Sequence, residues 1–114
     1  MDSILKTIQK HIVGYEENNP AFDTQLIDEI NAALWRLNQL NVGTAGFAIT
    51  DDTQTWSDFM GADTKNINMV ITYVKDVVRL SFDPPTSSFV LSSVQSRIDR
   101  TEWLLRVEVD PEYE

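Results

Sequence analysis

His11 is the only histidine of this chain, and it is the first residue to consider for acid–base or metal chemistry. A catalytic triad would add a nucleophile and an acidic partner, and a zinc site would add further nitrogen or sulfur ligands. The sequence places no such partners at a characteristic spacing from His11, and it contains no cysteine. We therefore interpret His11 as a surface or edge residue and expect a chain without enzymatic activity and without disulfide bonds.

Four acidic residues, Asp51, Asp52, Asp58 and Asp63, lie close enough in sequence to suggest a site for a hard cation. Their spacing differs from that of an EF-hand loop, which has alternating oxygen ligands, a central glycine and a terminal glutamate. Turn and helix-cap positions explain Asp51 and Asp63 instead. The segment Gly43–Gly46 lacks the lysine and the preceding strand of a phosphate-binding loop, so it is a turn. We expect no metal and no cofactor.

The charge of the chain argues against nucleic-acid binding. It has 18 acidic and 9 basic residues, which give a net charge of −9. Such a surface repels nucleic acid unless its basic residues cluster, and the sequence indicates no cluster. Arg97, Arg100 and Arg106 lie near one another, but Asp99 and Glu102 lie among them. We interpret this segment as a solvated or subunit-contacting face.

The three tryptophans differ in their surroundings. Trp56 belongs to a short segment that resembles one helical turn inserted into the core. Trp35 neighbours an apolar stripe, and Trp103 lies off the stripe of its helix. A tryptophan at a helix edge is either a margin of the core or an anchor of an interface, and both alternatives stay open for Trp103. These patterns predict contact with another subunit through six residues: Arg97, Arg100, Trp103, Arg106, Tyr73 and Leu80.

The first of the helices that must position these residues runs from a cap at Asp2 or Ser3 to about Val13. Gly14, which tolerates positive φ, ends it. Apolar residues recur at helical spacing along it: Ile4, Leu5, Ile8 and Ile12. Residues 15–21 form a polar connector rich in turn-forming side chains.

The second helix opens at Asp23 or Thr24 and stops at Asn41 and then Gly43. Its apolar stripe is the broadest in the chain: Leu26, Ile27, Ile30, Ala33, Leu34, Leu37 and Leu40. Residues 41–66 form a long irregular segment. That segment is either a functional loop or a packed cover over one end of a bundle, and the sequence favours neither.

The third helix is capped by Asp63 or Thr64 and ends near Phe82. The β-branched residues within Met69–Val74 also fit a buried strand, but the helical spacing persists for about three turns. This helix is apolar on nearly all sides, so it is either central or contacts a second protein.

Two prolines within Asp83–Ser88 form a rigid corner before the fourth helix, since proline lacks a backbone N–H and restricts the residue before it. Thr86 or Ser87 caps that helix, which runs to about Val107. Its predicted stripe is Leu91, Val94, Ile98, Thr101 and Leu105. We expect an all-α domain over residues 1–107, a small bundle of four main helices with a long central loop carrying one short helical turn. Residues 108–114 form an acidic mobile tail.

No apolar run approaches the roughly 18 residues of a membrane span, and no basic start precedes an apolar block. These observations predict a protein without a membrane contact and without a signal peptide. The absence of cysteine fits synthesis in a reducing compartment.

Several segments, taken in order, resemble the small head–tail connector (adaptor) proteins of tailed phages and prophages of Gram-positive bacteria. They are Leu37–Gly43, Ile49–Asp52, Trp56–Phe59, Val77–Ser88 and Glu102–Trp103. The resemblance covers most of the chain from about Leu26 to Arg106.

The resemblance implies a structural protein of the virion head–tail junction, made in the cytoplasm of the bacterial host. Its implied partners are copies of itself in a ring, twelvefold in this family, the portal protein, and a downstream stopper or tail protein. DNA would pass through the ring without sequence-specific binding, and no catalytic residue carries over. The alternative is a small acidic helical regulator that binds a host or phage protein as a monomer or dimer.

Overall fold

Five helices make up most of the structure, a computed structural model that describes residues 3–12, 20–61, 66–82 and 86–109. They are α1 (Ile4–His11), α2 (Pro20–Gln39), α3 (Trp56–Met60), α4 (Ile67–Phe82) and α5 (Ser88–Val109). The described ranges contain no strand, and the predicted all-α class with one short helix in the central loop is confirmed. None of their helices combines the length and the apolarity needed to cross a membrane.

α4 is the centre of the bundle, and the other four helices all pack against it. The segment Met69–Val74 is helical, so the strand alternative is wrong. Buried side chains occupy one broad side of α4: Ile67, Val70, Tyr73, Val74, Asp76 and Val78. Further apolar side chains are partly buried against the core: Met69, Ile71, Val77 and Leu80. This central position explains why α4 is apolar nearly all round.

α2 begins at Pro20, before the predicted cap at Asp23 or Thr24, so that boundary was wrong. Proline suits the first position of a helix because its φ is already helical and its missing N–H is one that the first turn leaves unpaired. The added turn contributes to packing, since the ring centroids of Phe22 and Phe82 are 5.4 Å apart.

The last helical residue of α2 is Gln39, and a Schellman motif around Asn41 stops the helix, as predicted. Asn41 has a φ of 62°, and its N–H donates to the carbonyl of Asn38 at 3.0 Å. The next N–H, from Val42, donates to the carbonyl of Leu37 at 3.0 Å. Both Val42 and Leu37 are buried, as suits the apolar pair that often accompanies this motif.

α1 starts after Ser3, whose hydroxyl accepts a hydrogen bond from the Lys6 N–H at 3.3 Å. The helix ends at His11, slightly before the predicted Val13. All four residues of its predicted stripe are buried: Ile4, Leu5, Ile8 and Ile12. The stripe of α2 is buried as well, except that Ile27 is only partly covered.

The central loop is held to the helices by side-chain amides. Asn31 of α2 accepts from the Ile49 N–H at 2.8 Å and donates to the Ile49 carbonyl at 3.0 Å. Asn38 donates to the carbonyls of Val42 and Thr44 at 2.9 and 3.1 Å. These bonds satisfy backbone groups that a loop would otherwise expose.

α3 closes one end of the bundle. Thr55 and Asp58 form a capping box around its first turn, and Trp56 and Phe59 are fully buried, as predicted. The Trp56 indole N–H donates to the Thr7 hydroxyl at 3.1 Å. Over residues 41–61 the loop therefore packs over one end of the bundle, as the second alternative has it, and a function of the loop stays untested.

Several predicted features lie outside the described residues: the stop at Gly14, the caps Asp63 and Thr64, the corner Asp83–Pro85, and residues 110–114. α4 starts at Ile67. Ser87 occupies the predicted cap of α5, and its hydroxyl accepts from the Val90 N–H at 3.4 Å. α5 continues to Val109, two residues beyond its predicted end.

Gly43→Ala is expected to lower the free energy of unfolding by about 1–3 kcal/mol. Gly43 has a φ of 78°, and an added Cβ would overlap the ring of Phe59, which is fixed against Phe47 with centroids 5.4 Å apart. Gly46→Ala is the matched control, because its φ is 75° but no atom lies within 4 Å of the added Cβ. Urea denaturation measures both. Equal losses for the two variants would show that backbone strain alone matters and that the contact with Phe59 does not.

Candidate functional site

The first turns of α5 extend beyond the apolar core. Every residue from 86 to 93 is exposed, and Phe89 has 79% of its surface accessible. We define Phe89, Val90 and Leu91 as the apolar patch. Leu91 was predicted to be buried and is 40% exposed, because the buried stripe of α5 starts only at Val94. Adjacent exposed apolar side chains of this size are typical of a contact surface.

The two tryptophans at helix edges lie on either side of an ion pair. Arg36 of α2 contacts the carboxylate of Glu102 on α5 at 3.0 Å. Trp35 precedes the arginine and is 62% exposed, while Trp103 follows the glutamate and is 50% exposed. Half of the Trp103 surface is thus accessible to a partner.

Tyr73 connects this ion pair to the core. Its hydroxyl donates to the other carboxylate oxygen of Glu102 at 2.9 Å. Burial, together with this hydrogen bond, raises the pKa of Tyr73 far above its usual value. The bond to Glu102 also raises the pKa of Arg36. Tyr73 is buried inside its own chain, so it is not part of the proposed contact surface. Its predicted contact with another subunit stays a prediction.

Arg97 of α5 makes a bidentate ion pair with Asp76 of α4. Its Nε and Nη2 each donate to a different carboxylate oxygen at 2.7 Å. The Asp76 side chain is almost fully buried, whereas that of Arg97 is half exposed. The hydrogen bonds to Asp76 raise the pKa of Arg97. Arg97 could be selected from the sequence as an interface residue, but its partner Asp76 could not, because an acidic residue 21 positions away gives no periodic signal.

The other predicted contact residues are placed differently. Arg100 is exposed on α5. Arg106 is half buried and has an interaction within the chain. Leu80 is partly buried against the core. Of the six predicted residues, Arg97, Arg100 and Trp103 are therefore exposed, and Arg97 is the one already held by an ion pair within the chain.

Basic residues do cluster in the folded chain, contrary to the expectation from sequence. A cavity of about 200 Å³ between α1 and α4 is lined by Thr7, Lys10, His11 and Lys75. Arg79 and Arg97 are also close enough to His11 to act on it electrostatically. We define five residues as the basic groove: Lys10, His11, Lys75, Arg79 and Arg97.

The charges of the basic groove act on the imidazole of His11. Partial desolvation lowers the pKa of the His11 imidazole, and Lys75, Arg79 and Arg97 lower it further. Asp76 acts in the opposite direction. His11 is exposed, as predicted for a surface or edge residue. The spacing of the basic residues gave no sign of the cluster because three different helices contribute to it.

Three of the four acidic residues considered as cation ligands have other contacts, and the fourth, Asp63, lies outside the described residues. Asp51 accepts from the Thr53 N–H at 2.8 Å and from its hydroxyl, and these bonds lower the pKa of Asp51. Asp58 belongs to the capping box of α3, and Asp52 lies 3.6 Å from Lys6. Within the described ranges, no three histidine or acidic residues form a group that could hold a metal ion.

One comparison with known proteins gives a match. A family model described as phage connector protein matches residues 4–112, nearly the whole chain. Neither the comparison with curated proteins nor the comparison with solved structures gives a match.

Proposed function

The chain belongs to the phage connector protein family, and from this premise we propose that it forms a ring that docks on the portal protein and joins the phage head to the tail. Membership confirms the resemblance to phage connector proteins, while an origin in a phage or prophage of Gram-positive bacteria stays a prediction. The family is structural, and the proposed role is docking and ring closure without catalytic turnover.

The apolar patch carries this proposal. A ring of identical subunits needs two different faces on each subunit, joined head to tail until the circle closes. Phe89 and its neighbours Val90 and Leu91 are large apolar side chains on a helix end that the described core does not cover. Burying such side chains against a neighbour removes them from water, and aromatic residues are frequent anchors of interfaces. We propose that the apolar patch contacts a neighbouring copy of the chain.

The outer face of α5 supplies a second part of the same interface. Trp103 is half exposed, and Arg100 is exposed three residues earlier on the helix. Tryptophan and arginine are the residue types that most often dominate binding energy. The long α5 would thereby contact the neighbour through both its projecting start and its outer side.

The net charge of −9 supports passage of DNA through the ring. An acidic wall repels the phosphates, so DNA can slide without being held. The proposed partners are other copies of the chain, the portal protein on the head side, and a stopper or tail protein on the other side. The proposed location is the head–tail junction of the virion.

Two variants test the α5 interface. Phe89→Ser with Leu91→Ser replaces two of the three side chains of the apolar patch. Arg100→Glu with Trp103→Ala changes the two exposed residues on the outer face of α5. Each is expected to keep its fold, because these side chains are exposed, and to weaken ring formation or portal binding at least about 30-fold. Ser92→Ala, an exposed change on the same helix, is the matched control. Light scattering measures ring mass, co-sedimentation measures portal binding, and a melting curve measures the fold.

The possible outcomes separate the alternatives. Normal portal binding by both variants would remove α5 from the interface. A lowered melting temperature of the Arg100→Glu, Trp103→Ala variant would place Trp103 in the core. A wild-type chain that stays monomeric or dimeric and does not bind the portal ring would contradict the proposal and favour the regulator alternative.

A further inference from the structure

The basic groove is unusual in a chain with such an acid excess. Four of the nine lysine and arginine residues lie in it, together with the only histidine. Like charges that lie close together repel, and partial desolvation together with Lys75, Arg79 and Arg97 lowers the pKa of His11. The repulsion between these side chains decreases when an anion binds among them.

The chain itself supplies little compensating charge at the groove. Asp76 is the acidic residue that faces His11 from α4, but it is buried and already accepts both hydrogen bonds from Arg97. Within the described part of the chain, Lys10, Lys75 and Arg79 form no ion pair. Their charges are therefore available to a bound anionic group.

The most acidic short segment of the sequence is its end. Residues 108–114 contain four acidic side chains, no basic one, and a tyrosine: Glu108, Val109, Asp110, Pro111, Glu112, Tyr113 and Glu114. Such a segment complements the groove in charge. The proline also lowers the entropy lost when the segment binds in an extended form.

The segment is too short to fill the groove of its own subunit. Val109, where α5 ends, lies twelve residues beyond Arg97, which is about 18 Å along a helix. Five residues, 110–114, span at most about 18 Å when fully extended, so they would reach the level of Arg97 only at the limit of their length. The bonds Tyr73–Glu102 and Asp76–Arg97 show that α4 and α5 are antiparallel, so Arg79 lies farther still from the end of α5.

We propose that the basic groove of one subunit binds the acidic segment 108–114 of a neighbouring copy of the chain. This inference rests on the proposed ring, where each subunit would donate its segment to one neighbour and receive the segment of the other. It would also cover the basic residues, so that the surface left for DNA stays acidic. DNA phosphates themselves are the competing occupant, and the experiment distinguishes them.

His11 provides the measurement, because a single histidine gives one set of imidazole signals in NMR. A synthetic peptide of residues 108–114 is titrated into the full-length chain at a dilution where light scattering shows a monomer, so that no neighbour's segment occupies the groove, and the pKa of His11 is followed. A bound acidic peptide is expected to raise this pKa by about half a unit or more, and less at high salt, since charge interactions are screened. A control peptide with amides in place of the acidic side chains should have no effect.

The groove is then changed at residues that make no structural ion pair. Lys75→Glu with Arg79→Glu should weaken peptide binding at least about tenfold. Ala32→Glu with Gln39→Glu, both exposed on α2, is the control for added acidity away from the groove, with two added negative charges where the groove variant changes the net charge by four. This control should bind the peptide nearly as the wild type does. A native melting curve of each variant excludes unfolding as the cause.

Three outcomes would overturn the inference: no change of the His11 pKa at millimolar peptide, equal peptide binding by the groove variant, or a response to a duplex oligonucleotide but none to the peptide. The inference and the proposed function fail separately. A ring that forms equally well with Lys75→Glu and Arg79→Glu contradicts only the groove. Peptide binding by a chain that forms no ring and binds no portal contradicts only the ring.

Discussion

Leu34→Asp and Val74→Asp are each expected to leave the chain unfolded at 25 °C. Both side chains are fully buried, Leu34 on α2 and Val74 on the central α4. Either change removes apolar burial and places a carboxylate in a core without a cationic partner, at a cost of several kcal/mol. The stability of a domain of this size is about 5–15 kcal/mol. Far-UV circular dichroism and a melting curve measure the result.

The matched control for this prediction is Ala32→Asp. Ala32 lies on the same helix as Leu34 and is exposed, so the change costs only the lower helix propensity of aspartate, about 0.5 kcal/mol. A soluble Leu34→Asp chain with the melting temperature of this control would mean that the buried face of α2 has been assigned to the wrong side.

The core was predictable because it depends on local periodicity. The stripes of α1 and α2 are buried as the spacing of their apolar residues predicts, and Trp56 and Phe59 fill the core from α3. Side chains three and four residues apart share a face of any helix. That rule needs no knowledge of the neighbouring helices.

The boundaries of burial depend on those neighbours and were less predictable. Leu91 continues the stripe of α5, yet it is exposed because the cover of that helix begins only at Val94. Pro20 was assigned to a connector because proline usually breaks a helix, but at the first position it favours one. In both cases the residue type was interpreted correctly and its place along the helix was not.

The outer face of α5 and the basic groove also differ in how far they could be predicted from the sequence. Trp103 could be selected from sequence because it lies off its own stripe, and it is half exposed. The basic groove could not, since Lys10, Lys75 and Arg97 come from three helices whose packing decides their separation. An electrostatic site built from several helices depends on the tertiary structure, and a net charge of −9 gives no indication of it.

Arg97→Met is expected to lower the free energy of unfolding by about 2–4 kcal/mol, because it leaves the carboxylate of Asp76 buried without its partner. The Asp76 side chain is only 3% exposed, and both of its oxygens accept from Arg97 at 2.7 Å. The loss is expected to be smaller than for a fully enclosed pair, since the Arg97 side chain is 53% exposed and water can enter the space that it leaves. Arg100→Met, an exposed change one turn along the same helix, should cost less than about 0.5 kcal/mol.

A double substitution distinguishes the net contribution of the ion pair to stability from the destabilisation caused by a buried carboxylate that has lost its partner. Asp76→Leu together with Arg97→Met replaces both partners by apolar side chains, and it is expected to recover most of the stability lost in Arg97→Met alone. Urea denaturation of the wild type, the two single variants and the double variant closes the cycle and gives the coupling between the residues. If the double variant were as unstable as Arg97→Met, the loss would come from the packing of the arginine side chain over α4, and the contact between α4 and α5 would depend on shape more than on charge.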